Sequence, residues 1–115
     1  MSCLKGIIEL KERRGKMKIF LDDLRAFPKD GYECVRTYRQ CIFLISLFKE
    51  KLEVVNLDYD LREEKTGLDI LVFMKENRII PETIIIHSTH TEGCQLMREY
   101  VEENFPTTQL LHRSL

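Results

Sequence analysis

The side chains of this 115-residue chain that could do chemistry stand directly after short apolar, mostly β-branched runs. Residues 17–21 are followed by Asp22-Asp23, residues 53–57 by Asp58-Tyr59-Asp60, and residues 83–86 by His87-Ser88. Three or four carboxylates brought together repel one another, and the repulsion is relieved by a hard divalent cation, a basic side chain or a raised pKa. Mg²⁺ is the natural cation for such a set. Each aspartate taken singly could equally cap the helix that follows, through its orphan N–H groups. Two acid pairs and a His-Ser pair after three separate runs are harder to explain by capping, and together they read as a site. His87 is either a hydrogen-bonded core histidine or, beside carboxylates, a general acid or base that titrates near neutrality. Ser88 either donates to a phosphoryl oxygen or helps to cap the next helix. Arg25 and Arg36 follow the first acid pair and the second apolar run; each could grip a phosphate bidentately or form a surface salt bridge.

The elements that must position these residues alternate between short β-branched runs and longer helical ones, the pattern of an α/β fold with a parallel sheet under helices. Strands are expected over 17–21, 32–37, 53–57, 83–86 and 109–111, the isoleucine-rich fourth being buried on both faces. Residues 38–52, apolar on nearly every side, predict a buried helix. A second helix, 68–77, must stop before Ile80-Pro81, because the residue before proline resists the helical region. Thr89 and Glu92 have capping-box spacing, and Cys94, Met97 and Val101 form the inward stripe of a third helix. In an open parallel sheet the carboxyl ends of the strands share one edge, where ligands bind at the switch point of strand order. The acids and His87-Ser88 are expected to meet there. Between Asp23 and Tyr32 the chain is too short for a helix with its turns and is interrupted by Pro28 and Gly31, so a first helix is reduced or absent. The second strand is compatible with a parallel course or an antiparallel return; only the parallel course brings Arg36 and Thr37 to the acidic edge.

A net charge of −1 gives no general attraction to DNA or membrane, and any RNA contact must be local. A hydrophobic content of 43% supports one core without staples. No signal peptide or long apolar span is expected. The four cysteines show neither CxxC nor zinc spacing, so they read as reduced thiols of a cytoplasmic protein, three of them serving as small hydrophobes. Residues 1–16 stand apart as an extension to a domain at 17–115. Lys11-Glu12-Arg13-Arg14-Gly15 can be encoded by purine-only codons, as a ribosome-binding sequence read in frame would be, and Met17 is the expected native start. The other reading is a short amphipathic helix with Leu4, Ile7, Ile8 and Lys11 on one face.

The runs Phe20-Leu21-Asp22-Asp23-Leu24-Arg25, Val35-Arg36-Thr37, Asn56-Leu57-Asp58-Tyr59-Asp60-Leu61 with Gly67, and His87-Ser88 with Gly93 resemble the cyclic-phosphate-processing receiver domain family. The family is a divergent relative of the phosphoacceptor receivers, and the resemblance spans roughly residues 17–105. It implies a receiver-like (flavodoxin-like) three-layer sandwich with a mostly parallel five-stranded sheet. It also implies that Asp22 and Asp23, with Asp58, hold Mg²⁺, Asp58 being the position that ordinary receivers phosphorylate. Asp60, Arg25, Arg36, Thr37, His87 and Ser88 match positions that mark the family. The implied activity is processing of 2′,3′-cyclic phosphates on nucleotides or RNA ends, as in RNA repair. Asp58, His87 and Arg25 would be catalytic, and Arg36, Thr37, Ser88 and Asp60 would contact substrate. Implied partners are a phosphate-containing small molecule or RNA end and a protein encoded nearby. Tyr59 stands where the family often has histidine and His90 where it often has asparagine. No lysine follows the last strand, which runs Leu110-Leu111-His112-Arg113, and this argues against conventional phosphotransfer. The alternatives are a non-hydrolytic signalling or phosphate-binding adaptor, and a domain whose acids only cap helices.

Overall fold

The computed structural model describes residues 16–22 and 31–113. In chain order these form β1 (Met17–Leu21), β2 (Tyr32–Val35), α1 (Tyr38–Phe48), a 3₁₀ turn (Lys49–Lys51), β3 (Leu52–Leu57), α2 (Gly67–Glu76), β4 (Thr83–His87), α3 (Thr91–Asn104) and β5 (Gln109–Arg113). The strands make one sheet in the order β2-β1-β3-β4-β5, and every neighbouring pair is parallel. The order reverses between β1 and β3, so the crevice at a switch point opens at their carboxyl ends. The parallel course of β2 resolves the choice left by the sequence. Arg36 and Thr37 therefore stand at the same edge as Asp22 and Asp58.

One core holds the domain together. Ile19, Leu21, Val55, Leu57, Ile84 and Ile86 of the central strands are fully buried, in one cluster with Cys41, Leu44, Ile45 and Phe48 of α1, Ile70, Leu71 and Met74 of α2, and Cys94, Met97 and Val101 of α3. Each such apolar side chain contributes roughly 1.5–3 kcal/mol when fully buried. The three helices pack side by side on one face of the sheet. A second helical layer is not among the described residues; residues 1–15 of the extension expected at 1–16, and the segment 23–30, lie outside them. The alternate side chains Phe20, Val54 and Ile85 are also buried, which accounts for the nearly unbroken apolar runs of β1, β3 and β4. Asn56 interrupts that second set. Among the described residues no helix is long and apolar enough to cross a membrane.

The helix starts depart from expectation in ways that shape the site. The second strand ends at Val35 rather than at residue 37, because Thr37 becomes the N-cap of α1, its Oγ1 accepting from the Gln40 N–H at 3.1 Å. The Gln40 side chain in turn accepts from the Arg36 N–H at 2.8 Å. The helix predicted over 38–52 ends at Phe48, because Leu52 is taken up by β3, where it pairs with Met17. It is half-buried rather than buried all round: Cys41, Leu44, Ile45 and Phe48 form one stripe, while Phe43 is 46% exposed. Helix α2 begins at a capping box of Thr66 and Asp69, with the Thr66 N–H donating to Asp69 Oδ2 at 2.8 Å. The capping box expected at Thr89 and Glu92 is not the one used. His90 is the N-cap of α3, its Nδ1 accepting from the Gly93 N–H at 2.9 Å. The His90 ring also packs on Tyr59, with centroids 4.6 Å apart, and this contact holds the imidazole over the helix start in place of a threonine hydroxyl.

Candidate functional site

Parallel pairing continues one residue beyond the strands and sets the first groups of the site side by side. The Asp22 N–H donates to the Val35 carbonyl at 3.2 Å and the Asp58 N–H to the Leu21 carbonyl at 3.1 Å. Leu21, Leu57 and Ile86 are in register across β1, β3 and β4, so Asp22, Asp58 and His87 follow as a row at the carboxyl edge. All three are withdrawn from solvent, at 2%, 9% and 2% exposure. Each offers one ligand atom, and the three atoms lie within 4.8 Å of one another. Asp22 and Asp58 are thus joined by His87 itself, which the sequence placed nearby without making it a ligand.

His87 is clamped from three sides. Its Nε2 lies 3.0 Å from Asp22 Oδ2, its Nδ1 meets Asn56 Oδ1, and its ring stacks on Phe20 with centroids 4.6 Å apart and planes 3° from parallel. Both neighbours present acceptor oxygens, and the ring donates to the two together only when it is protonated. In that state His87 supplies the positive charge that a buried carboxylate requires. The lone pair at Nε2 becomes available to a metal only when that proton leaves, so cation and proton compete for the same atom.

Burial pushes the Asp58 carboxyl above the ordinary carboxylate range. A hydrogen bond from the Ser88 side chain draws it partly back, the nearby charge of Asp22 raises it, and His87 lowers it. Ser88 Oγ also accepts from the His90 N–H at 3.1 Å, which ties the end of β4 to the start of α3. Two glycines bring the helix starts close to this segment. A Cβ on Gly67 would run into the Asp58 carbonyl oxygen and come 2.8 Å from Met97 Cε, and one on Gly93 would run into the Tyr59 ring.

The expected site residues fall into three groups. Asp22, Asp58 and His87 form the cluster, and Ser88 is bonded to it through Asp58. Arg36 lies at its rim, where Nη1 donates to the Asp22 carbonyl at 3.3 Å. Thr37 is spent on capping α1, and Asp60 is exposed, accepting from the Arg62 N–H at 2.9 Å within the loop that leads to α2. Asp23 and Arg25 lie outside the described residues. Asn56 and Phe20 received no role from the sequence, yet they orient His87. The signal for Asn56 was present: a polar amide inside an apolar strand must find a buried partner.

Two carboxylates and one imidazole suit a divalent cation whose remaining positions are filled by water or substrate oxygens. Cys34, Cys41 and Cys94 are free thiols among the described residues, and burial pushes each of them above the ordinary thiol range. Residues 17–103 match the family described as the Cyclic-phosphate processing Receiver domain. No curated protein and no solved structure matches the chain.

Proposed function

The chain belongs to the cyclic-phosphate processing receiver domain family, and on that premise we propose that the Asp22, Asp58 and His87 cluster binds the 2′,3′-cyclic phosphate of a nucleotide or RNA end and opens it with a divalent cation. The observation that carries this reading is the convergence of three buried ligand groups within 4.8 Å at the switch point of the sheet. Asp22 and Asp58 would hold Mg²⁺, with Asp23, next in sequence, the further candidate. When bound, the cation supplies neutralisation of the phosphoryl charge. Arg36, at the rim, supplies a fixed guanidinium for the phosphoryl oxygens. Opening forms one P–O bond from water and breaks the P–O bond to the 2′ or 3′ oxygen. His87 would deliver its Nε2 proton to the leaving oxygen, and Asp58 would take the proton that water gives up. Asn56 and Phe20 keep the imidazole in the orientation this transfer needs.

A second reading, a phosphate-binding adaptor without turnover, is favoured by one observation: both ring nitrogens of His87 are already engaged, by Asn56 and by Asp22. Phosphorus NMR of the protein with a nucleoside 2′,3′-cyclic phosphate separates the two. Mg²⁺-dependent appearance of an opened monophosphate that is lost in Asp58→Asn is the expected result. Saturable binding with no opened product would replace hydrolysis by the adaptor reading, and absence of any binding would defeat both.

A further inference from the structure

Beside the cluster, on the far side of Ser88, the end of β4, one face of α3 and the end of β5 enclose an open cleft of about 300 Å³. Its walls are unlike those of the acidic row. Thr89 and Thr91 bring hydroxyls, and His112 and Arg98 bring nitrogen donors from β5 and α3. No carboxylate and no aromatic carbocycle is among its lining residues. Arg98 is half-buried, and among the described residues its guanidinium makes no ion pair or hydrogen bond. Gln95, the remaining polar neighbour on α3, already donates its side-chain amide to Glu99 at 2.8 Å.

A guanidinium held on a helix, flanked by hydroxyls and without an acidic partner, is an arrangement that accepts an anion. A nucleobase would ask instead for a stacking platform, which these walls lack apart from one exposed imidazole. The cleft and the cluster share structure at two points. Ser88 lines the cleft and also donates to Asp58, and Cys94 lines it with its thiol against the Ser88 carbonyl at 3.5 Å. Both Asp58 and Arg98 act electrostatically on that thiol.

Resting on the reading of the cluster as a cyclic-phosphate site, we propose that this cleft is the subsite for the phosphodiester on the 5′ side of the terminal nucleotide, with Arg98 as its anchor. The preferred substrate is then an RNA end rather than a free nucleoside 2′,3′-cyclic phosphate. Selectivity comes from the second anion contact, since hydrogen bonds to charged groups discriminate by about tenfold or more.

Calorimetric titration tests this with two ligands in the presence of Mg²⁺: a nucleoside 2′,3′-cyclic phosphate and a dinucleotide that ends in the same group. The wild-type protein is expected to bind the dinucleotide about tenfold more tightly or better. Arg98→Gln erases that difference and leaves the nucleoside affinity unchanged, and Arg98→Lys restores part of it. Equal wild-type affinities, or a preference that survives in a folded Arg98→Gln protein, overturns the subsite while the cluster reading stands. If the wild-type protein binds neither ligand, the cluster reading falls and the subsite with it.

Discussion

His87 Nε2 lies 3.0 Å from Asp22 Oδ2, and both side chains are almost wholly buried. This pair joins the ends of β1 and β4, two strands separated in the sheet by β3. Removing one partner of a buried pair leaves the other without compensation, at a cost of roughly 3–5 kcal/mol. Asp22→Ala is therefore expected to lower unfolding stability by about 3 kcal/mol. The double variant Asp22→Ala with His87→Leu is expected to lose less than the sum of its parts. Denaturant unfolding of the four proteins in the cycle measures the coupling, and strict additivity would show that the pair does not stabilise the domain.

Asp58 behaves in the opposite sense. Burial raises its folded-state carboxyl above the ordinary carboxylate range, so the native protein binds more protons than the unfolded chain in the window just above that range. Stability contributed by this group is present at acid pH and falls as pH rises through the raised folded-state value. Asp58→Asn removes the buried charge and is expected to stabilise the cation-free protein at neutral pH by roughly 1 kcal/mol while abolishing Mg²⁺ binding. The Tm advantage of the variant should shrink as pH is lowered toward 4. A variant that is less stable than wild type at pH 7 would contradict the assignment of burial as the dominant influence.

Mg²⁺ itself should stabilise the wild-type protein by linkage, because it binds the folded cluster and not the unfolded chain. At a hundred times the dissociation constant the gain is about 2.7 kcal/mol, and EDTA reverses it. Thermal unfolding with and without Mg²⁺, in wild type and Asp58→Asn, reads this directly. An equal shift in both proteins would place the cation elsewhere.

Asn56 acts through His87. Asn56→Ala leaves His87 Nδ1 without its buried partner, at an expected cost of about 1–3 kcal/mol. Nitrogen-15 NMR of the imidazole should then show a changed tautomer or protonation state at neutral pH. Unchanged ring-nitrogen shifts would mean that Asn56 fills space without orienting the ring.

Gly93 is the point at which α3 closes on Tyr59. Gly93→Ala is expected to cost roughly 1–3 kcal/mol through overpacking, even though alanine favours the helix. Because Tyr59 follows Asp58, the same change should weaken Mg²⁺ binding. A stabilised protein with unaltered Tyr59 resonances would show that the ring yields without cost.

Much of this architecture was legible because it depends on local pattern. The apolar runs at 17–21, 53–57 and 83–86 mark strands buried on both faces, and their acidic or His-Ser endings mark the carboxyl edge whatever the details of packing. Helix boundaries were less legible where two elements compete for the same residues: Leu52 could extend a helix or open a strand, and only its pairing with Met17 decides. At the start of α3, Thr89 and Glu92 have the right spacing for a cap, but His90 takes that place because Tyr59, from another loop, packs against its ring.

By itself the sequence determined which residue types end each strand, and therefore that carboxylates and an imidazole gather at one edge of a parallel sheet. Only the tertiary structure decided that β2 runs parallel, that Thr37 is spent on a helix cap, and that Asp60 stays in solvent. It also decided that His87 bonds Asn56, 31 residues away, and Asp22, 65 residues away. The physical reason is that strand propensity and burial are properties of neighbouring residues, whereas hydrogen-bond partners at a sheet edge are selected by register and by the crossing of distant strands. Neither is written in any one stretch of the chain.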